Sequence, residues 1–259
     1  MYIQFRLENT LISIVTPTFN SARSVARTIE SVDFVQRSGE YWVIDGGSTD
    51  ATCEIVHNHK VVTGILSEPD DGIADAFNKG IERCSGELIG IINSDDWYEP
   101  QALEIVAQAY DLLPEKNRDR TIFHGDLRVH EADGSTTVRK PRLGAASSRH
   151  WSFFFDMPLN HPTCFIPRKL YRDVGGYRVD YRVAMDFELI LRMKKAGALF
   201  AYIPKVLANF SAGGTSHRNA RLALEEVRRA QRLPGLTPLI TFPAYLAKVA
   251  LHRLKRMRT

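Results

Sequence analysis

Asp95 and Asp96 stand side by side where the apolar run Leu88-Ile89-Gly90-Ile91-Ile92 gives way to Asn93-Ser94. Carboxylates this close repel unless a positive charge sits between them. Hard oxygen donors suit Mg2+ or Mn2+, carried in by the phosphates of a nucleotide. Ligands of open α/β sheets collect beyond the carboxyl ends of the strands, and the end of an apolar run marks such a place. A solvated Asn-Ser-Asp-Asp turn has the same composition, so the tetrapeptide takes its meaning from its surroundings. Asp45 closes a second apolar run, Tyr41-Trp42-Val43-Ile44, and Gly46-Gly47-Ser48-Thr49-Asp50 follows it. A carboxylate there can accept from a ribose hydroxyl or a base N–H, and glycines let a ligand come close. Ser48 or Asp50 also suits a helix N-cap, which is compatible with that role. Asp75, Asn78 and Lys79 fall at i, i+3 and i+4 on one helical face, either a ligand face or a solvated Asp–Lys pair. Asp186 opens the amphipathic stretch Phe187–Arg192, with Glu188 two residues on. Read alone, it is an N-cap.

The elements that must position these residues alternate. Strand signals at Leu11–Val15, Tyr41–Ile44, Val62–Leu66 and Leu88–Ile92 are separated by helical spacings through Val25, Ile29 and Val32, through Ile55 and Val56, and from Ile73 to Cys84. Strands that are apolar without strict alternation predict a parallel sheet covered on both faces. The turn after the first strand, Thr16-Pro17-Thr18-Phe19-Asn20, lacks the Gly-x-Gly-x-x-Gly of a dinucleotide site. Beyond residue 100 the pattern predicts a helix over Ala102–Leu113, a strand at Thr121–Phe123 and a hairpin from Leu127 to Val138 turning at Asp133-Gly134. Pro141–Pro162 has no period and reads either as a segment packed over the sheet or as a mobile wall beside the site. Phe187–Ala196 is helical again, and Phe210–His217 is a Gly-rich loop able to close over phosphate.

The chain of 259 residues, 44% hydrophobic and 25% charged, suits one large α/β domain with an extension. No apolar run approaches the ~20 residues of a membrane span. The first residues lack the apolar core of a secretory signal. Cys53, Cys84 and Cys164 have no metal-ligand spacing and read as reduced thiols, so a cytoplasmic place is expected. Net charge is +4 overall, yet ten Arg/Lys against Glu225 and Glu226 give the stretch from Arg218 onward +8, leaving −4 for residues 1–217. Phe242, Leu246, Val249, Ala250, Leu254 and Met257 share one face of a helix that is otherwise basic. Such a helix suits an anionic membrane surface or packs on the body. Nucleic acid is not expected, because no aromatic residues interleave with the basic ones.

Ile14-Val-Thr-Pro-Thr-Phe-Asn20, Val43-Ile-Asp-Gly-Gly-Ser-Thr-Asp50, Glu68-Pro-Asp-Asp-Gly-Ile-Ala-Asp-Ala-Phe-Asn-Lys-Gly80 and Ile92-Asn-Ser-Asp-Asp-Trp97, in that order, resemble the family 2 glycosyltransferases of the GT-A fold. The resemblance implies an α/β GT-A domain over residues 1–217, with 218–259 as a basic helical extension. It implies a nucleotide-sugar pocket built on Thr16, Pro17, Asn20, Asp45, Asp75, Lys79, Ser94 and Asp95. Asn93-Ser94-Asp95 takes the place of the family's Asp-x-Asp, so Asp95 and Asp96 hold the cation, Mn2+ or Mg2+, between them. An acid at Asp186 implies a general base, with Glu188 in reserve. His161, in Asn160-His161-Pro162-Thr163, sits where relatives carry a polar acceptor loop, or is a satisfied core histidine. His217, read from its Gly-rich loop alone, either reaches the metal or diphosphate or belongs to a loop leading out of the domain. The implied activity is inverting transfer from a nucleotide-sugar, UDP-linked, to a hydroxyl of a growing, lipid-linked glycan at the inner face of a cell membrane, as in bacterial polysaccharide biosynthesis. A non-catalytic nucleotide-sugar-binding protein is the alternative.

Overall fold

The β-branched runs of the first half form strands β1 (Ile12–Thr18), β2 (Gly39–Asp45), β3 (Gly64–Ser67) and β4 (Leu88–Ile91). They are all parallel, in the order β3-β2-β1-β4. The expected parallel sheet is therefore present. This computed structural model describes residues 12–34, 39–143, 157–212 and 220–231. Helices α1 (Val25–Glu30), α2 (Thr52–His57) and α3 (Ile73–Arg83) make the crossovers. Neighbouring residues of β1 point to opposite faces, so Ile14 and Val15, both fully buried, belong to different apolar clusters. The α3 side is packed tightly at Gly80, where a Cβ would stand 2.3 Å from Val15 Cγ1.

The sheet continues, with mixed direction, into the second half. After β5 (Trp97–Tyr98), α4 (Ala102–Asp111) and the short α5 (Glu115–Arg118) comes β6 (Thr121–His130), longer than its sequence signal. β6 and β7 (Thr136–Arg139) form the expected hairpin. A 3-10 turn at His161–Thr163 leads into β8 (Phe165–Pro167), which runs antiparallel to β4 and joins the two halves. Helices α6 (Arg168–Val174) and α7 (Met185–Lys195) follow. β9 (Leu199–Ser211) then runs parallel to β6 and returns to the carboxyl side of β4. The full order is β3-β2-β1-β4-β8-β6-β9-β5, with β7 on β6. Helix α8 (Ala220–Gln231), at the start of the basic extension, contributes the buried Ala230 to the cluster that holds Leu189 and Ile190 of α7. The basic stripe of Phe242–Thr259 lies outside the described residues. All three cysteines are free, Cys84 and Cys164 buried and Cys53 partly so. Among the described residues no helix is long and apolar enough to cross a membrane.

Candidate functional site

The ends of β1, β2 and β3 lie level, with Thr18 opposite Asp45 and Asp45 opposite Ser67. Asp45 is fully buried, and its oxygens accept from Thr18 Oγ1 (3.0 Å), Ser67 Oγ (2.7 Å) and the backbone N–H groups of Ser48 (2.9 Å) and Gly47 (3.2 Å). Burial pushes this carboxyl up, but the bonds from Ser48 and Ser67 outweigh it and hold the group below the usual carboxylate range. The expected partner of a ribose hydroxyl is thus the post on which the Gly46–Ser48 turn is built. Thr16 and Pro17 are likewise buried within β1, Thr16 Oγ1 lying 2.9 Å from Tyr41 Oη, so they shape the edge without presenting side chains to it.

Asn20 does reach the surface. Its φ of 49° lies in the left-handed region that Asn tolerates. Its N–H donates to Ser48 Oγ (2.7 Å), and its Oδ1 accepts from Thr49 N (2.9 Å). Ser94 Oγ lies 2.8 Å from Ser21 Oγ, so the loops after β1, β2 and β4 are tied together. On α3, Lys79 Nζ sits 2.9 Å from Glu68 and 3.1 Å from Asp75, and those bonds, Glu68 first, raise its pKa. Asn78 leaves this group. Its amide donates to Tyr177 O (2.8 Å) and accepts from Tyr177 N (2.7 Å), a two-way bridge between α3 and the turn before α7.

The two adjacent carboxylates part company. Asp96 is fully buried, accepting from Ser211 N (3.1 Å) at the end of β9 and from Asn93 Nδ2 (3.4 Å). Burial, then the charge of Asp95, pushes it up to about 7. Of the two acids expected to share a cation, Asp96 is the one turned inward. Asp95 remains half-buried, with its carboxyl raised by burial and drawn down by Arg27. Arg27, which the sequence reading passed over, binds Asp95 O (3.1 Å) and Ser211 Oγ (3.3 Å) and lies 3.6 Å over the Trp97 ring.

Beyond Asn93 a cavity of about 470 Å³ opens between the end of β4 and the β6–β7 side of the sheet, and Asp186 lines it. Asp186 is the second residue of α7 and caps nothing. Its Oδ1 is buried without a hydrogen-bond partner, 3.4 Å from His161 Nε2, while the side chain as a whole is 26% exposed. The exposure therefore falls on side-chain atoms other than Oδ1. Burial raises its pKa and the nearby His161 draws it back. His161 Nε2 is held 2.8 Å from Tyr177 Oη and stacks on Phe77, 5.8 Å between ring centres.

Glu188, the expected reserve base, is fully buried and bound at 2.8–3.0 Å to Arg192, which ties down the 174–176 carbonyls. Its carboxylate is committed to that pair. A second clamp holds the start of α7, the helix that carries Asp186. Glu226 of α8, 5% exposed, accepts from the backbone N–H groups of Arg182 (2.8 Å), Val183 (2.9 Å) and Ala184 (2.8 Å), just before α7 begins. His217 lies outside the described residues.

A strand edge carrying loops after β1, β2 and β4, beside a cavity with one carboxylate among its described lining residues, can hold a nucleotide and a second substrate together. Residues 13–171 match the glycosyl transferase family 2. The chain belongs to this family. An uncharacterised glycosyltransferase of Mycobacterium tuberculosis is 30% identical over 222 residues, covering 84% of this chain and 82% of that one. S. aureus TarS in complex with UDP-GlcNAc superposes with a TM-score of 0.65 at 18% identity, over 85% of this chain and 64% of that one. The mannosyltransferase PcManGT of Pyrobaculum calidifontis, in complex with GDP-Man and Mn2+, gives 0.64 at 17% identity, over 93% and 69%. The fold is the expected GT-A.

Within this glycosyltransferase, the described residues contain no group of three His, Cys, Asp or Glu able to hold a metal by themselves. Asp95 is the half-buried carboxylate of the turn, and Asn93 Oδ1 is a buried acceptor without a partner. One carboxylate beside an unpaired amide oxygen fits a cation that takes most of its ligands from phosphates and water. The other unforeseen residues are Arg139, Lys140 and Arg142 at the cavity and Glu226 behind it. The basic triplet was visible as a charge run in the sequence, whereas Glu226 gave no local signal.

Proposed function

We propose that this family 2 glycosyltransferase transfers a sugar from a UDP-sugar to an acceptor hydroxyl with inversion, the acceptor being a growing, lipid-linked glycan. The observation that carries this is the partly exposed Asp186 side chain, lining a cavity that begins at Asn93, where the loops after the parallel strands end. The donor's nucleotide lies along the loops stitched by Asn20, Ser48 and Ser94, with Lys79 near its phosphates. Asp95 would hold a Mn2+ or Mg2+, which would supply positive charge beside the diphosphate. Asp186 takes the proton of the acceptor hydroxyl, which attacks the anomeric carbon from the face opposite the diphosphate. One displacement inverts the configuration and requires no covalent enzyme intermediate. The ionised form is the working form, so burial makes Asp186 a stronger base than a free carboxylate.

Calorimetry of UDP binding tests the donor half. Affinity is expected to be higher with Mn2+ than with EDTA, and Asp95→Ala is expected to remove the difference. Equal affinity with and without metal would exclude the metal-assisted reading. Mn2+-dependent release of UDP from a UDP-sugar separates a transferase from a protein that only binds.

A further inference from the structure

A second cavity, of about 420 Å³, lies between the last turns of α3 and the start of α6. It shares no lining residue with the cavity at Asp186, and none of Asn20, Asp45, Asp75, Lys79, Ser94 or Asp95 lines it. The chain passes from Arg83, at the end of α3, into β4 at Leu88. This end of α3 therefore lies where strands begin, whereas the donor loops follow strand ends. The floor of the cavity is neutral. Tyr171 and Cys84 are buried, and Ile81 packs on the apolar cluster that contains both. Burial pushes the Cys84 thiol up to about 12, and its Sγ donates to Gly80 O (3.2 Å), so it carries no charge at neutral pH.

The charge comes from α6. Arg168 and Arg172, four residues apart, share one face of that helix and both line the cavity. Lys169, on another face, is taken up by Asp173 at 2.6 Å. Among the described residues neither arginine side chain forms a hydrogen bond or an ion pair. Arg168 N donates to Glu87 O (2.9 Å), which fixes the start of the helix that carries both. Glu82, on the α3 side, is the one acid among the described lining residues and pairs with neither arginine. It offers an acceptor to a hydroxyl across from the two cations. Guanidinium groups favour phosphate, through bonds stronger than neutral ones, and the volume leaves room for a small organic body beside it. We propose that this cavity is a second ligand site, taking the phosphate monoester of a small polyol, a sugar phosphate by class. Its phosphate seats on Arg168 and Arg172, its carbon frame on Ile81 and Tyr171, and a hydroxyl on Glu82. No residue is shared with the donor loops or the Asp186 cavity, so failure here leaves the transferase reading as it stands.

Calorimetry tests it on the full chain with Mg2+ and saturating UDP, which keeps the donor edge filled. The probes are glucose 6-phosphate, inorganic phosphate and glucose. Glucose 6-phosphate is expected to bind about tenfold or more tightly than glucose, as one charge-assisted contact supplies, and more tightly than inorganic phosphate. Raising salt is expected to weaken it. Arg168→Gln with Arg172→Gln is expected to reduce glucose 6-phosphate to the level of glucose at unchanged UDP affinity, and Arg221→Gln, on the surface of α8, to preserve binding. If the double variant also loses UDP affinity, the pair supports the fold, and Arg172→Glu alone, on an exposed side chain, decides: it is expected to weaken glucose 6-phosphate and spare UDP. Glucose 6-phosphate binding no tighter than glucose overturns the proposal. So does binding that survives these variants, which would place the phosphate elsewhere on the chain. Inorganic phosphate binding as tightly as the ester overturns it too, since the organic body would then have no seat.

Discussion

Asp186 and Asp96 show how one residue type acquires opposite duties from its surroundings. Asp186 lines the cavity, so its raised pKa suits the proposed base. Asp186→Asn is nearly isosteric but cannot take the proton. Turnover is expected to fall about 10²-fold or more at unchanged UDP affinity. The base must be ionised, so kcat/KM should fall as pH drops through its raised pKa, above the ordinary carboxylate range. His161→Gln removes the group that draws this pKa down, and should move the acid limb to higher pH. A limb unmoved by His161→Gln would disconnect the pair. Asp96 has no such outlet. Its proton is favoured in the folded state at about 7, against 3.8 when unfolded, so its contribution is complete below about pH 4 and is lost as pH rises through 7. Asp96→Asn imitates the protonated form and keeps an acceptor for Ser211 N. Thermal unfolding is expected to show it stabilised at pH 8, on the order of a few kcal/mol, with the gain gone by pH 4. A destabilised variant at pH 8 would mean that Asp96 works as a charge. The sequence made the adjacent acids legible but not their directions, because the partner that turns Asp96 inward is Ser211, 115 residues away.

The elements near the site are held by bonds between side chain and backbone that no local periodicity announces. The four parallel strands and α3 were readable because their apolar spacing is local. β8 and β9 were not, since Phe165–Pro167 is three residues long and Leu199–Ser211 is exposed or half-buried along much of its length. Asn78 looked like part of a ligand face, because i, i+3, i+4 spacing fixes a face but not what packs on it. Its bridge to Tyr177 also steadies the tyrosine that holds His161. Glu226 performs the matching service for α7. A buried carboxylate on three N–H groups satisfies donors that otherwise cost about 1–3 kcal/mol each when orphaned. Glu226→Ala is expected to lower kcat by about tenfold while UDP affinity holds, because the loss falls on the placement of Asp186. Glu226→Gln, which keeps an acceptor oxygen, should recover part of it. Equal losses in kcat and UDP affinity for both variants would instead indicate general unfolding.

At the scale of the molecule, one continuous sheet divides the work. Its parallel half ends in the loops proposed to hold the nucleotide, and its mixed half borders the cavity that Asp186 lines, with β8 joining them at β4. The parallel half was legible because its apolar runs are local, with β1 and β4 buried throughout, and the mixed half was not because its pairings join distant segments. The charge asymmetry belongs to this scale too. Residues 218–259 carry +8 against −4 for the rest, and α8 is where that stretch meets the body through Glu226. An enzyme whose acceptor sits at an anionic membrane gains from cations outside the catalytic half, each worth ~1 kcal/mol near such a surface. Deleting residues 242–259 leaves α8 and its clamp in place, so UDP affinity should be unchanged. Flotation with vesicles rich in phosphatidylglycerol should then separate the two forms, with the full chain floating and the shortened one remaining below. Salt should weaken the attachment, since screening acts over roughly 8–10 Å at physiological ionic strength, and the apolar stripe should leave a residue of binding. If both forms stay with the unbound protein at low salt, the stretch serves to pack on the body or on a second copy, and the membrane placement fails while the chemistry at Asp186 stands.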